Sequence, residues 1–131
     1  MKRVFVDTGA FYAMQVTEDA HHQRARELFE QANAEVWRLI TTNVVVFETF
    51  TLMLIRARDG RRHAIQLLDA IEGDRYQVER VRQVDERHAS TLVRAHADKR
   101  YSMCDALSFV VMERLKIKEA LSFDRHFKMH G

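Results

Sequence analysis

Glu48 is a carboxylate in a stretch of chain that resists one. It interrupts Val44-Val45-Val46-Phe47 and Thr49-Phe50-Thr51-Leu52-Met53-Leu54-Ile55. A carboxylate among so many apolar neighbours must find a partner or take up a proton. Asp105 poses the same question, because it opens the apolar run Ala106-Leu107-Ser108-Phe109-Val110-Val111. Asp7 and Asp124 each stand where a short apolar segment ends, after Val4-Phe5-Val6 and Leu121-Ser122-Phe123. Brought within a few ångströms, such carboxylates repel one another by about 4 kcal/mol per close pair at an effective dielectric near ~20. A hard divalent cation offsets that charge, and Mg²⁺ commonly takes one or two carboxylates while keeping waters for a phosphate ligand. Proton sharing in an acid/base dyad is the other solution.

Each residue also has a plain explanation. Glu48 fits the narrow polar edge of a helix, beside Thr49 or Thr51. Asp105 fits the third position of a helix whose N-cap is Ser102, where it favours the helix dipole. Asp7 and Asp124 fit ordinary turns.

Convergence depends on the elements that carry these side chains. Val4-Phe5-Val6 reads as a brief buried strand stopped by a turn at Asp7-Thr8-Gly9. From about 18 to 33, Ala25, Leu28, Phe29 and Ala32 recur at helical spacing between charged residues, an amphipathic helix. A second strand is expected over 39–42 and an apolar helix over 44–55, followed by Asp59-Gly60, which suits a left-handed stop. The next helix carries Ala64, Leu67, Leu68 and Ile71 on one face and meets Gly73. A weak third strand follows over 76–81, then a helix around Ala89, Leu92 and Val93 that Asp85 is placed to cap. Residues 102–115 form a helix apolar almost all round, and 119–123 a last strand. Alternating strands and helices predict a three-layer α/β/α fold with a mostly parallel central sheet. In such sheets ligands bind outside the carboxyl ends of the strands. If the strands ending at Asp7 and Asp124 are parallel neighbours, both aspartates emerge on one rim. The absence of proline and only four glycines argue against an all-β sandwich or barrel.

The 131 residues, 47% hydrophobic, suffice for one compact domain spanning 1–131. A formal net charge of +2, with both signs interspersed, neither demands nor excludes a polyanionic partner. Cys104 is the only cysteine, which excludes an internal disulfide and fits a reducing, cytoplasmic setting. Met1-Lys2-Arg3-Val4-Phe5-Val6-Asp7 is too short in apolar residues for a signal peptide or a membrane span.

Four fragments then coincide with a known pattern: Phe5-Val6-Asp7-Thr8-Gly9-Ala10-Phe11, Thr42-Asn43-Val44 through Glu48, Ser102-Met103-Cys104-Asp105-Ala106-Leu107-Ser108-Phe109, and Leu121-Ser122-Phe123-Asp124-Arg125-His126-Phe127. In this order and spacing the chain resembles the PIN-domain ribonucleases, and most closely the VapC-type toxins of bacterial toxin–antitoxin pairs. The resemblance implies acidic residues gathered around one or two Mg²⁺ or Mn²⁺ ions at the carboxyl edge of a parallel sheet. It makes Asp7 and Asp105 the main ligands, Glu48 a ligand directly or through water, and Asp124 a further ligand or outer carboxylate. Thr8 and Ser102 become hydroxyls tuning the site. The implied chemistry is in-line attack of an activated water on a phosphodiester, the cation offsetting charge on the phosphate and leaving oxygens. The implied partners are an RNA substrate, a cognate antitoxin whose basic side chain enters the carboxylate ring, and commonly a second copy of the chain. Relatives often carry another short strand after the Asp124 motif, whereas here Gly131 follows soon after it.

Arg56, Arg58, Arg61 and Arg62 cluster around Gly60 and suit either an RNA backbone or a solvated helix end. His21, His22, His126 and His130 lack a compact spacing with cysteine, which argues against zinc. Cys104 reads as a small buried apolar residue. Two other functions compete. Asp7-Thr8-Gly9 spells the aspartic-protease signature, which would require a dimeric dyad sharing a proton, but such proteases are rich in β-structure. A catalytically idle RNA- or protein-binding module is the second.

Overall fold

The structure, a computed structural model, describes residues 1–130, with side chains through Phe127. Gly131 and the His130 side chain, both raised above, lie outside the described residues.

β1 (Arg3–Val6), β2 (Arg38–Thr42), β3 (Tyr76–Glu79) and β4 (Glu119–Leu121) form one sheet in the order β3-β2-β1-β4. Every described pairing is parallel. Successive strand residues point to opposite faces, yet Val4, Phe5 and Val6 are all buried, so both faces of β1 are covered. That is the expected α/β/α sandwich.

Among the described residues, seven helices connect and flank the strands: α1 (Thr8–Gln15), α2 (His22–Ala34), α3 (Asn43–Arg56), α4 (Gly60–Glu72), α5 (Gln83–Ala95), α6 (Met103–Leu115) and α7 (Arg125–His130). Two of these depart from the sequence-based expectation. Asp7-Thr8-Gly9 is no free turn: Asp7 is the N-cap residue of α1, with φ −89° and ψ 165°, so the strand passes directly into a helix. The stretch expected to be helical from 18 begins only at His22. At the C-terminal end, α7 follows the Asp124 motif, and β4 forms that edge of the described sheet.

The glycines act differently from expectation. The left-handed residue before α4 is Asp59 (φ 54°), whereas Gly60 is the first residue of α4. A Cβ on Gly60 would collide with the carbonyl oxygens of Met53 and Leu54. Gly60 therefore lets the start of α4 press against the end of α3. Gly73 follows α4 with φ −83° and an extended backbone, not a left-handed one.

α6 is buried on most sides through Cys104, Ala106, Leu107, Ser108, Phe109 and Val111, as its uniform apolarity predicts. α3 buries Val45, Val46, Thr49 and Met53 and leaves Phe47, Leu54 and Ile55 at 59%, 49% and 73% exposure. Hydropathy alone did not separate the two faces of α3.

Candidate active site

β1 and β4 are neighbours in register, with Val6 opposite Leu121. The Asp7 N–H extends that ladder by donating to the Leu121 carbonyl at 3.1 Å. The strand ends therefore deliver Asp7 and the Ser122-Phe123-Asp124 segment to one rim. There the Ser122 hydroxyl donates to Asp7 Oδ2 at 3.0 Å and accepts from the Asp124 N–H at 3.0 Å. One serine thus ties the two aspartates to a common frame.

Asp105 arrives from the other side, on the first turn of α6. Ser102 caps that helix: its Oγ accepts from the Asp105 N–H at 3.0 Å, and Asp105 Oδ2 accepts from the Ser102 N–H at 3.3 Å. The capping explanation of Asp105 holds, and it does not exclude a second use. The same Oδ2 lies 3.4 Å from Nδ1 of His126, which is also 3.4 Å from Asp124 Oδ1. Donor atoms of Asp105, Asp124 and His126 all lie within 4.8 Å of one another.

Glu48 is half-buried on α3 and stands outside this trio. Its carboxylate reaches the Cys104 thiol, which also faces Thr8 Oγ1 at 4.0 Å and feels the charge of Asp7. Burial, reinforced by Glu48, pushes the Cys104 thiol far up, so it stays protonated and inert. Cys104 is the apolar spacer between Glu48 and the Asp7 side of the rim. Glu48 is therefore not simply a solvent-facing edge residue.

The electrostatics follow from this crowding. Asp7, only 4% exposed, has its carboxyl pushed up to about 7, first by burial and then by the charges of Asp105 and Asp124, against the opposing hydrogen bonds from the Thr8 backbone and Ser122. Asp105 is also raised, by burial and by Asp124. Carboxylates whose ionised form is disfavoured by one another mark a place that a cation would stabilise. Two carboxylates and an imidazole nitrogen within 4.8 Å form a donor set that suits a divalent ion, with Asp7 adjoining.

Thr8 is buried beside Cys104. The arginines divide. Arg56 and Arg58 border a groove with Tyr12 and Asp19, whereas Arg61 and Arg62 begin α4, exposed, with Arg62 3.7 Å from Asp59. The sequence reading missed Ser122 and His126 as site residues. His126 was weighed only for zinc; its place two residues after Asp124 was the available signal. For Ser122 no signal existed without the β1–β4 register.

A parallel sheet between helix layers, with Asp7 just after β1, Asp105 at the start of α6 and Asp124 just after β4 gathered on one rim, defines a class of nuclease folds. The PIN domain family model matches residues 4–130, and the chain belongs to that family. It is 33% identical over 128 residues to the 23S rRNA-specific endonuclease VapC20 of Mycobacterium tuberculosis, covering 98% of this chain and 94% of that protein. The VapC ribonuclease of Archaeoglobus fulgidus is 30% identical over 126 residues, covering 95% of this chain and 78% of that protein. The crystal structure of M. tuberculosis VapC20, described as a sarcin-ricin loop cleaving toxin, superposes with a TM-score of 0.90 at 31% identity, covering 98% of this chain and 95% of that one. The aspartic-protease alternative falls with the fold: Asp7-Thr8-Gly9 opens a helix in an α/β/α sandwich.

Proposed function

We propose that this chain is a divalent-metal-dependent endoribonuclease, the toxin of a toxin–antitoxin pair, acting as one domain in the cytoplasm. The observation that carries the proposal is the rim itself: β1 and β4 pair in parallel, and Asp105, Asp124 and His126 offer donors within 4.8 Å beside a buried Asp7. Among the described residues no helix is long and apolar enough to cross a membrane.

Asp7, Asp105 and Asp124 would hold the ion, with Glu48 reaching it directly or through water and His126 adding a nitrogen donor. Mg²⁺ or Mn²⁺ fits these oxygen-rich donors. When bound, such an ion polarises a phosphate oxygen and raises the nucleophilicity of water. The remaining work belongs to the chain. Ser122 holds Asp7 and the Asp124 backbone in fixed relation, Ser102 fixes Asp105 on the first turn of α6, and the α6 N-terminus directs its backbone dipole at the incoming phosphate. Thr8 and Cys104 lie buried against one another beside Asp7.

VapC20 is named for 23S rRNA, which makes ribosomal RNA the first substrate to test here. The exposed Phe47 beside Glu48, with Val44, Thr51 and Leu52, lines an apolar hollow of about 370 Å³ next to the acidic rim. An antitoxin segment with an apolar anchor there and an arginine directed at the carboxylates fits both features. A second copy of the chain covering the exposed Leu54 and Ile55 on the same helix is a separate possibility that native mass measurement tests. An idle binding module would have no need to hold Asp7, Asp105 and Asp124 in mutual repulsion.

The test is cleavage of a mixed RNA pool with Mg²⁺ or Mn²⁺ by the native chain, by Asp7→Asn and by Asp105→Asn. Cutting that persists in EDTA, or that neither substitution slows, would remove the metal site from the mechanism.

A further inference from the structure

Beside the acidic rim lies a second hollow, of about 400 Å³, within the roughly 300–1,000 Å³ typical of small-ligand pockets. It touches the site through three chain segments. Gly9 follows Asp7 by two residues, Leu52 follows Glu48 by one helical turn, and Phe123 directly precedes Asp124.

The lining is specific in chemistry. The rings of His21 and Phe123 stack at 4.5 Å with an interplanar angle of 3°, a flat platform that a further planar ring can extend. His21 is exposed, and no side-chain bond ties its ring to the start of α2. At Gly9 even a Cβ would meet open space, so this side of the hollow is open. Arg56, Tyr12 and Asp19 complete the wall and continue into the adjoining groove that holds Arg58. Asp19 Oδ1 already accepts the His21 N–H at 2.8 Å, which leaves its other oxygen as an acceptor. A carboxylate here repels a phosphate but accepts N–H groups from the edge of a base, while the arginines suit the backbone on either side.

We infer that this hollow takes the unpaired nucleobase flanking the scissile phosphate, stacked on His21 and Phe123, with the RNA strand leaving along Arg56 and Arg58. The inference rests on the ribonuclease reading and supplies what the acidic rim lacks, a contact that positions a base rather than a phosphate. Single-stranded recognition commonly works through such aromatic stacking.

The experiment walks a single abasic residue along an oligoribonucleotide that the protein cuts. At one position next to the cut, KM is expected to rise by roughly 5- to 150-fold, the range for losing one stacked base, with kcat within about twofold. His21→Ala raises KM on the intact RNA and adds nothing on that abasic RNA, and His21→Phe restores the native value. Equal penalties on intact and abasic RNA, or no sensitive position beside the cut, overturn the pocket. Should no RNA be cut with either ion, the nuclease reading fails separately. A 2-aminopurine-containing oligoribonucleotide then decides the pocket alone: fluorescence quenched on binding the native chain but not His21→Ala supports it, and fluorescence unchanged in both refutes it.

Discussion

Asp85 and Asp105 occupy the same local position and meet opposite fates. Each is the third residue of a helix and accepts the N–H of the capping residue, Arg82 at 2.9 Å and Ser102 at 3.3 Å. Asp85, 1% exposed, is then gripped by Arg114 through Nε to Oδ1 at 2.9 Å and Nη2 to Oδ2 at 2.8 Å, while Nη1 reaches Glu79 at 2.8 Å. The guanidinium holds the Asp85 carboxyl below its usual range. Asp105 faces Asp124 instead and is shifted upward, as is Asp7. Capping explains why an aspartate stands at each place. What faces it across the fold decides whether it is structure or chemistry.

The largest expected effect separates the clusters by activity. Asp7→Asn and Asp105→Asn should each lower RNA cleavage by on the order of 10³-fold or more, because a ligand and its charge are lost from the transition state. Thermal stability should not fall, since each substitution relieves like-charge repulsion. Arg114→Ala should do the reverse. Leaving Asp85 buried and unpaired costs about 3–5 kcal/mol, read as a lower urea midpoint, with cleavage per folded molecule unchanged. If Arg114→Ala silenced cleavage in protein shown to be folded, the two clusters would not be independent.

Much of this contrast could be read from the residues. Asp7, Glu48, Asp105 and Asp124 each broke an apolar pattern, and the strand-end logic of parallel sheets correctly placed Asp7 and Asp124 on one rim. Asp85 was legible only as a cap. Its partner Arg114 lies 29 residues away, on the far end of the helix that also carries Asp105, and no local spacing announces a pair made by packing. Ser122 was invisible for the same reason, whereas His126, two residues after Asp124, was not. α1 was missed because Asp7-Thr8-Gly9 has turn composition, while the burial of Ala10, Phe11 and Ala13 that stabilises a short helix there is tertiary. The glycine error is instructive too: Gly60 was expected to supply a left-handed angle, but its lack of a side chain serves the approach of two helices.

The remaining predictions sharpen the comparison through pH. Asp7 has its carboxyl pushed from 3.8 to about 7 in the folded chain, so the folded state binds its proton more tightly than the unfolded state. The stability this proton confers is complete below pH 3.8 and is lost as pH rises through about 7. In EDTA, unfolding free energy should therefore fall with rising pH over that interval, by about 4 kcal/mol if Asp7 acts alone. Asp7→Asn should remove most of that slope. Asp85 runs the other way: its lowered carboxyl contributes stability above its unfolded value, which is lost as pH falls further. Saturating Mn²⁺ should recover stability near pH 8 and little near pH 5, where Asp7 holds its proton.

The smallest effect tests whether Ser102 is a cap or part of the site. Its Oγ accepts from the Asp105 N–H, whereas the Asp105 carboxylate bonds to the Ser102 backbone. Ser102→Ala removes the first bond and leaves the second in place. It should therefore cost about 1 kcal/mol of stability, as loss of an N-cap does. Mn²⁺ affinity, measured by titration calorimetry on the same protein, should stay at the native value because Asp105 keeps its place on the rim. A marked drop in affinity without a loss of stability would make the hydroxyl a tuning group of the metal site, and Asp105 would then resemble Asp85 less than their shared caps suggest.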